Sequence, residues 1–229
     1  MVYLIPSLLA ENALETIPPY IMNAIRDCQV IFAENERTAR RFLKSMDKEI
    51  VIDNFEWHAI HKSEEEQLEM FKLKTKEGKN IAIISEAGCP GIADPGQLLV
   101  AEAQKTGVPV KPLVGPSSIL LALMASGLEG QHFNFHGYLP IEHLARVKKI
   151  KELEKESSVK KCTQIFIETP YRNDQLLKDI LYNCDAHTKL CIASEITSAN
   201  EWIKTKPVSE WKTQVPQLHK KPVIFLLLA

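Results

Sequence analysis

The 229-residue sequence is poor in the features that would assign a function quickly. It has no GxGxxG dinucleotide fingerprint, no GxxxxGK[ST] phosphate loop, no HExxH and no GxSxG. Its five cysteines (Cys28, Cys89, Cys162, Cys184 and Cys191) are odd in number and form no CxxC pair. A disulfide framework and a zinc site are therefore not expected, and a reducing cytoplasmic setting fits. No apolar run reaches the roughly 20 residues of a membrane span. The opening Met1-Val2-Tyr3-Leu4-Ile5-Pro6 lacks the basic and long apolar regions of a signal peptide, so a cytoplasmic protein without a membrane anchor is expected. There is no charge excess either: 28 basic against 29 acidic residues leave a net charge of −1, so any footprint for RNA must be a local patch.

What remains is an ordinary globular composition, 45% hydrophobic and 25% charged, in a chain long enough for one large domain or two modest ones. The most informative stretch is Ile81 to Gly96. Ile81-Ala82-Ile83-Ile84 reads as a strand apolar on both faces, as in a parallel sheet. The turn after it holds Gly88, Gly91, Gly96, Pro90 and Pro95 with the carboxylates Glu86 and Asp94, and a helical pattern begins at Gln97. Strand, glycine-rich turn and helix form the crossing where open sheets bind ligands, beyond the carboxyl ends of their strands. A rigid connector would use the same residue types.

Strand and helix patterns alternate along the chain. Strands are expected at Val2 to Ile5, Val30 to Ala33, Ile50 to Ile52, Ile81 to Ile84 and Val108 to Leu113. Asn54 to Ser63, with Trp57, His58 and His61, reads as a loop. Ile119 to Ser126 is a helix apolar on nearly every side and is expected to be buried. The pattern then restarts, with strands expected at Phe133 to Pro140, Gln164 to Ile167, Lys189 to Ser194 and Pro222 to Leu228. This is α/β architecture, with halves at residues 1–113 and 114–229.

Several side chains carry two readings. Arg37 and Arg41 share a helix face, with Arg40 beside them, and would either form local ion pairs on a solvated surface or grip phosphates. The run Lys148, Lys149, Lys151, Lys155, Lys160 and Lys161 is interleaved with glutamates and reads as a solvated helix face. Trp57, His58 and His61 would sit on a surface loop or meet a base, and His136 is similarly open. Cys89 has no base placed beside it and is not a nucleophile candidate. Glu168, at a strand end, is a helix-start carboxylate or a ligand contact. Arg172 would anchor an anionic substrate or an interface.

Five stretches taken together resemble the tetrapyrrole-methylase-like family of S-adenosylmethionine (SAM)-dependent methyltransferases. These are Ala33-Glu34-Asn35-Glu36-Arg37-Thr38-Ala39-Arg40-Arg41-Phe42-Leu43, Ser85 to Gly96, Gly115-Pro116-Ser117-Ser118 with Ser126-Gly127-Leu128, Phe135-His136-Gly137-Tyr138-Leu139-Pro140, and Glu168-Thr169-Pro170-Tyr171-Arg172. Within the family the chain is most similar to the branch that methylates the ribose 2′-oxygen of a cytidine in small-subunit ribosomal RNA. The resemblance implies two α/β domains with the cofactor in a cleft between them, and commonly a homodimer, to which the apolar residues from Leu120 to Met124 would contribute. It implies cofactor contacts from Pro6, Ala87, Gly88, Cys89, Ile92, Ser117, Ser118, Glu168 and Ile196. Glu34 and Glu168 become candidates for a general base near the acceptor hydroxyl, and Arg37, Arg40 and Arg172 for phosphate positioning.

The sequence departs from the family at named points. The first loop, Ile5-Pro6-Ser7-Leu8-Leu9-Ala10-Glu11-Asn12, lacks the usual glycine. Glu86 and Asn35 each stand where the RNA branch has Asp, and Cys89 where it has Thr. The C-terminal part is shorter than in many ribosomal RNA enzymes. Two other readings share the scaffold: C-methylation of a tetrapyrrole or other small molecule, and a non-catalytic binding module.

Overall fold

The computed structural model describes residues 1–60 and 64–229. His61 therefore lies outside the described residues. The chain divides into two compact units, Met1–Ser117 and Ser118–Ala229.

The first unit runs β1 (Val2–Ile5), α1 (Ile21–Arg26), β2 (Val30–Ala33), α2 (Glu36–Met46), β3 (Glu56–Ala59), α3 (Glu64–Lys76), β4 (Ile81–Ile84), α4 (Gln97–Thr106) and β5 (Val110–Pro112). Its five strands lie in the order β3-β2-β4-β1-β5 and every neighbouring pair is parallel. Side chains alternate across each strand, so one strand feeds two cores. Tyr3, Ile5, Ile31, Ala33, Ala82 and Ile84 face one way and pack with Ile21 and Ile25 of α1 and Phe42 and Leu43 of α2. Val2, Val30, Phe32, Ile81 and Ile83 face the other way and pack with Phe71 of α3 and Leu99 and Ala103 of α4. Burial on both faces explains why β1, β2 and β4 read as unbroken apolar runs.

Two expectations fail here. Ile50 to Ile52 is not a strand: Ile50 is buried in the core from a loop, and Ile52–Asn54 is a short 3-10 turn. The third strand is instead Glu56–Ala59, inside the segment expected to be a loop. It is an edge strand that pairs with β2 on one side, so it carries polar residues. His58 stacks on Phe32 at 4.8 Å and bonds Glu56 at 2.9 Å, while Trp57 Nε1 donates to Ile52 O at 3.1 Å.

The second unit runs α5 (Ser118–Ser126), β6 (Phe133–Tyr138), α6 (His143–Lys160), β7 (Thr163–Ile167), α7 (Asn173–Asn183), β8 (Lys189–Ser194), β9 (Trp202–Pro207), α8 (Val208–Trp211) and β10 (Val223–Leu228). The sheet order is β6-β7-β10-β8-β9. Only β6 and β7 pair in parallel; β10 is antiparallel to β7 and β8, and β8 to β9. One face packs Phe166, Ile192, Leu190, Phe225 and Leu227 against α6, α7 and α8, and α5 contacts β8, β9 and β10 on the same unit. Strand β9 has no sequence expectation to match it. Its Trp-Ile-Lys-Thr-Lys-Pro run is an edge, and lysines with a closing proline suit an edge that must not recruit another strand. Helix α5 is a correction of the opposite kind: Ala122, Leu123 and Ser126 are buried, but Leu120 and Met124 are 51% and 78% exposed.

A buried ion pair clamps α6 to α7. Arg146 donates through Nε and Nη2 to Asp179 Oδ2 at 2.7 and 2.6 Å, and through Nη1 to Ile141 O at 2.7 Å. Gln175 donates to the other Asp179 oxygen at 2.9 Å.

Candidate active site

In the first unit the strands end in register: Ile5, Ala33 and Ala59 align through Ile84. The residues that follow therefore emerge together at the carboxyl edge. After β1 come Pro6 and Ser7. Ser7 N donates to Gly88 O at 2.7 Å, Gly88 N to Ser7 O at 3.2 Å, and Ser7 Oγ to Ser85 O at 2.7 Å. The first loop is thus pinned to the central turn without a glycine of its own. The glycine that makes room lies elsewhere: a Cβ on Gly115 would fall 2.1 Å from Pro6 Cβ. Gly88 is less crowded, with Leu9 Cδ2 at 3.2 Å from where a Cβ would stand, but its φ of +71° favours glycine.

Cys89 points its Sγ at Pro116 O, 3.5 Å away. Burial raises its thiol pKa, and the charge of Asp94 adds to the effect. It stays protonated, a weak donor to the 115–118 turn rather than a nucleophile. Ala87 is exposed and Ile92 is 51% exposed, both on the loop surface.

Beside this loop lies a small lattice of carboxylates. Glu34 Oε2 accepts from Glu86 N at 2.8 Å. Asn35 caps α2, its Oδ1 accepting from Arg37 N at 3.0 Å and Thr38 N at 3.3 Å. Its Nδ2 donates to Glu86 Oε1 at 2.9 Å, which Thr38 Oγ1 also approaches at 3.2 Å. Burial pushes the Asp94 carboxyl up to about 7, and the charges of Glu34 and Glu86 push it the same way. A cavity of about 290 Å³ is lined by Glu34, Asn35, Glu36, Arg37, Ala59 and Glu86.

The three expected phosphate-positioning arginines separate. Arg40 lies 4.4 Å over the Trp57 ring and pairs with Glu36 at 3.4 Å, which occupies it within the fold. Arg172 donates through Nε and Nη2 to Glu168 Oε1 at 3.0 and 2.6 Å. Arg37 is exposed at the cavity rim, and among the described residues no acidic side chain pairs with it. His136 bonds the Gln164 carboxamide, and Lys160 of the Lys-rich helix pairs with Glu156 at 2.7 Å.

In the second unit the ends of β7 and β8 flank the start of β10, where Ile224 meets Ile167 and Val223 meets Ser194. Buried polar atoms at this edge without a hydrogen-bond partner among the described residues include Glu168 Oε2, Ser194 Oγ and Thr197 Oγ1, with Asn173 Oδ1 nearby; Glu195 Oε2 has the ammonium of Lys221 at 3.0 Å. Leaving such groups unpaired costs about 1–3 kcal/mol each, so they fit a ligand that supplies partners. The backbone there is strained as well. Glu195 and Thr197, on either side of buried Ile196, hold φ of +54° and +68°, and a β-branched residue in that region is an outlier. Ser118 opens α5. Sequence reasoning passed over Ser194 and Thr197, although both flank a candidate residue; a small hydroxyl at the end of an apolar strand was the available signal.

The family described as Tetrapyrrole (Corrin/Porphyrin) Methylases matches residues 13–211. The chain belongs to this family and is an S-adenosylmethionine-dependent methyltransferase. It is 31% identical over 217 residues to a ribosomal RNA small subunit methyltransferase I of Vibrio cholerae serotype O1, an alignment covering 95% of this chain and 72% of that one. In fold it is similar to the methyltransferase CobJ, with a TM-score of 0.67, 14% identity, and coverage of 99% of this chain and 93% of that one. It is similar also to uroporphyrin-III C-methyltransferase of Thermus thermophilus complexed with S-adenyl homocysteine, with a TM-score of 0.58, 14% identity, and coverage of 99% and 96%.

Proposed function

We propose that the chain methylates ribosomal RNA of the small subunit, at a ribose 2′-oxygen of a cytidine, as a cytoplasmic homodimer. The observation that carries the RNA reading is Arg37, a cation with no acidic partner among the described residues, at the mouth of a cavity lined by Glu34, Asn35 and Glu86. The ribosomal RNA methyltransferase of Vibrio cholerae, similar over 95% of this chain, supports the same substrate. The exposed apolar Leu120 and Met124 of α5 support self-association, as a face that a second copy would cover.

The cofactor supplies a methyl group on a positively charged sulfonium. On the first unit we assign Pro6, Ala87, Gly88, Cys89, Ile92 and Ser117 to holding it, and on the second Ser118, Glu168 and Ile196. The Ser7–Gly88 bridge fixes the loops that carry Pro6 and Ala87, and the unpaired Glu168 Oε2 offers an acceptor. Carboxylates suit a cationic neighbour. The base role falls to Glu34 rather than Glu168. Glu168 Oε1 already accepts from Arg172 and from Thr169 N at 2.6 Å, and the side chain is buried. Glu34 has one oxygen on Glu86 N and lines the open cavity, where an acceptor hydroxyl can reach it. Arg37 holds the adjoining phosphate.

The test is calorimetric titration with SAM and S-adenosylhomocysteine, followed by transfer of a labelled methyl group to small ribosomal subunits. Binding near one per chain and label in the RNA at a 2′-O-methylcytidine are expected. Arg37→Ala should weaken RNA binding and lower its salt slope by about 0.7–0.9. Transfer to a tetrapyrrole with none to RNA would replace this reading by the small-molecule one. Failure to bind either cofactor form would make the chain a binding module.

A further inference from the structure

We infer that Tyr171, edged by His219 and flanked by Lys220, is a stacking platform for an unpaired RNA base; this rests on the RNA reading above. Tyr171 lies in the exit turn of β7 and is 70% exposed. A lone exposed tyrosine needs no explanation; this one is held by two loops bonded into a single surface.

The exit turn is fixed from below. Glu168 Oε1 gathers Thr169 N at 2.6 Å and both Arg172 donors, and Arg172 N closes the turn onto Thr169 O at 2.9 Å. The loop from Leu218 to Pro222 is tied alongside. Lys220 N donates to Pro170 O at 2.8 Å, Asn173 Nδ2 to Lys221 O at 2.7 Å, and Leu218 N to Asp174 Oδ1 at 2.7 Å. These bonds hold Lys220 at φ +63°, a conformation that a lysine adopts at a cost. They also bring the His219 ring to 5.8 Å from Tyr171 at 74° between planes. An edge-to-face contact occupies at most one face of Tyr171, and at 70% exposure the residue leaves room for a flat ligand.

The charge arrangement selects the ligand. Lys220 is exposed and has no acidic partner among the described residues. Arg172 and Lys221 are paired, to Glu168 at 2.6 Å and Glu195 at 3.0 Å, but the cations are the more exposed member of each pair. Asp174 is the exposed acid in the neighbourhood, with one oxygen on Leu218 N. An exposed ring with cations around it suits a ligand that has both a π face and a phosphate, an unstacked nucleotide in single-stranded RNA. An acidic peptide would use Lys220 but leave the ring idle.

The experiment is equilibrium binding of the full chain to a fluorescein-labelled single-stranded oligoribonucleotide across a salt series, with S-adenosylhomocysteine affinity measured on every variant. Tyr171→Ala should weaken RNA binding about 5- to 100-fold with an unchanged salt slope, because stacking releases no counterions. Tyr171→Phe should bind as the parent does. Lys220→Ala should lower the slope by about 0.7. All three should keep the parental S-adenosylhomocysteine affinity. Unchanged RNA affinity in Tyr171→Ala, an equal loss in Tyr171→Phe, or a loss of S-adenosylhomocysteine binding in either overturns the platform while leaving the RNA reading in place. A parent chain that binds no RNA overturns both.

Discussion

Asn35 donates from Nδ2 to Glu86 Oε1 at 2.9 Å, which ties the cap of α2 to the turn that follows β4. An aspartate at each position would set two carboxylates against one another. Here an amide donor meets a carboxylate, while Asn35 Oδ1 still caps α2. Asn35→Asp keeps a good cap but removes the donor and adds a like charge. It should cost about 0.5–1 kcal/mol near neutral pH, since both side chains are exposed. Glu86→Gln in the same chain should restore most of that, because the new amide can donate to the new carboxylate. A double-mutant cycle on urea midpoints reads the coupling; additive effects would show that the contact carries no energy.

Gly115 is the second test. A Cβ there would sit 2.1 Å from Pro6 Cβ and 2.4 Å from Pro6 Cγ, a separation that real Cβ atoms do not take. Gly115→Ala must push the first loop away from the 115–118 turn. A stability loss of about 1–3 kcal/mol is expected from the overpacking, with weaker cofactor binding. Pro6→Gly removes the opposing Cβ and should recover part of both in the double variant. Thermal melts and S-adenosylhomocysteine titration of the three variants check this.

How far the sequence could be read follows from what each segment packs against. Strands β1, β2 and β4 are covered on both faces, so their apolar runs were unmistakable, and the turn after β4 carried its glycines in plain view. Strand β3 was misplaced because it lies on an edge: its Glu56 pairs with His58 and Lys74, and the nearby apolar Ile50 to Ile52 imitated a strand. Strand β9 is half-buried, carries Lys204 and Lys206 and pairs with β8 at the sheet edge, so no hydrophobic run announced it. The candidate site was legible as loops but not as contacts. Nothing in the spacing says that Arg40 lies over Trp57, that Pro6 rests on Gly115, or that Ser194 Oγ has no hydrogen-bond partner among the described residues, since each depends on residues distant in the chain.

Arg146 shows the same limit and gives a third prediction. In the sequence it is one cation in a basic helix; in the fold it is buried with Asp179 and holds the carbonyl of Ile141. Removing one member leaves the other charge buried and unpaired. Arg146→Ala should therefore cost about 3–5 kcal/mol, whereas Arg146→Met with Asp179→Leu should cost much less. Denaturant unfolding of both variants decides it. A single variant within about 0.5 kcal/mol of the parent would mean that water reaches the pair.

The last prediction concerns pH. Asp94 is pushed up to about 7 by burial and by the charges of Glu34 and Glu86. In the unfolded chain it titrates near 4. Between those values the folded chain holds a proton that the unfolded chain has released, so stability must fall as pH rises across that window. Below about pH 4 both states are protonated, and above about pH 7 both are ionised, so the slope from this group vanishes at either end. Asp94→Asn removes the titration. The stability difference, parent minus variant, should decline steadily from about pH 4 to about pH 7 and then level off, as read from urea midpoints at fixed ionic strength. A difference that rises with pH would mean that Asp94 is stabilised as a carboxylate in the folded chain, the opposite of what its burial implies.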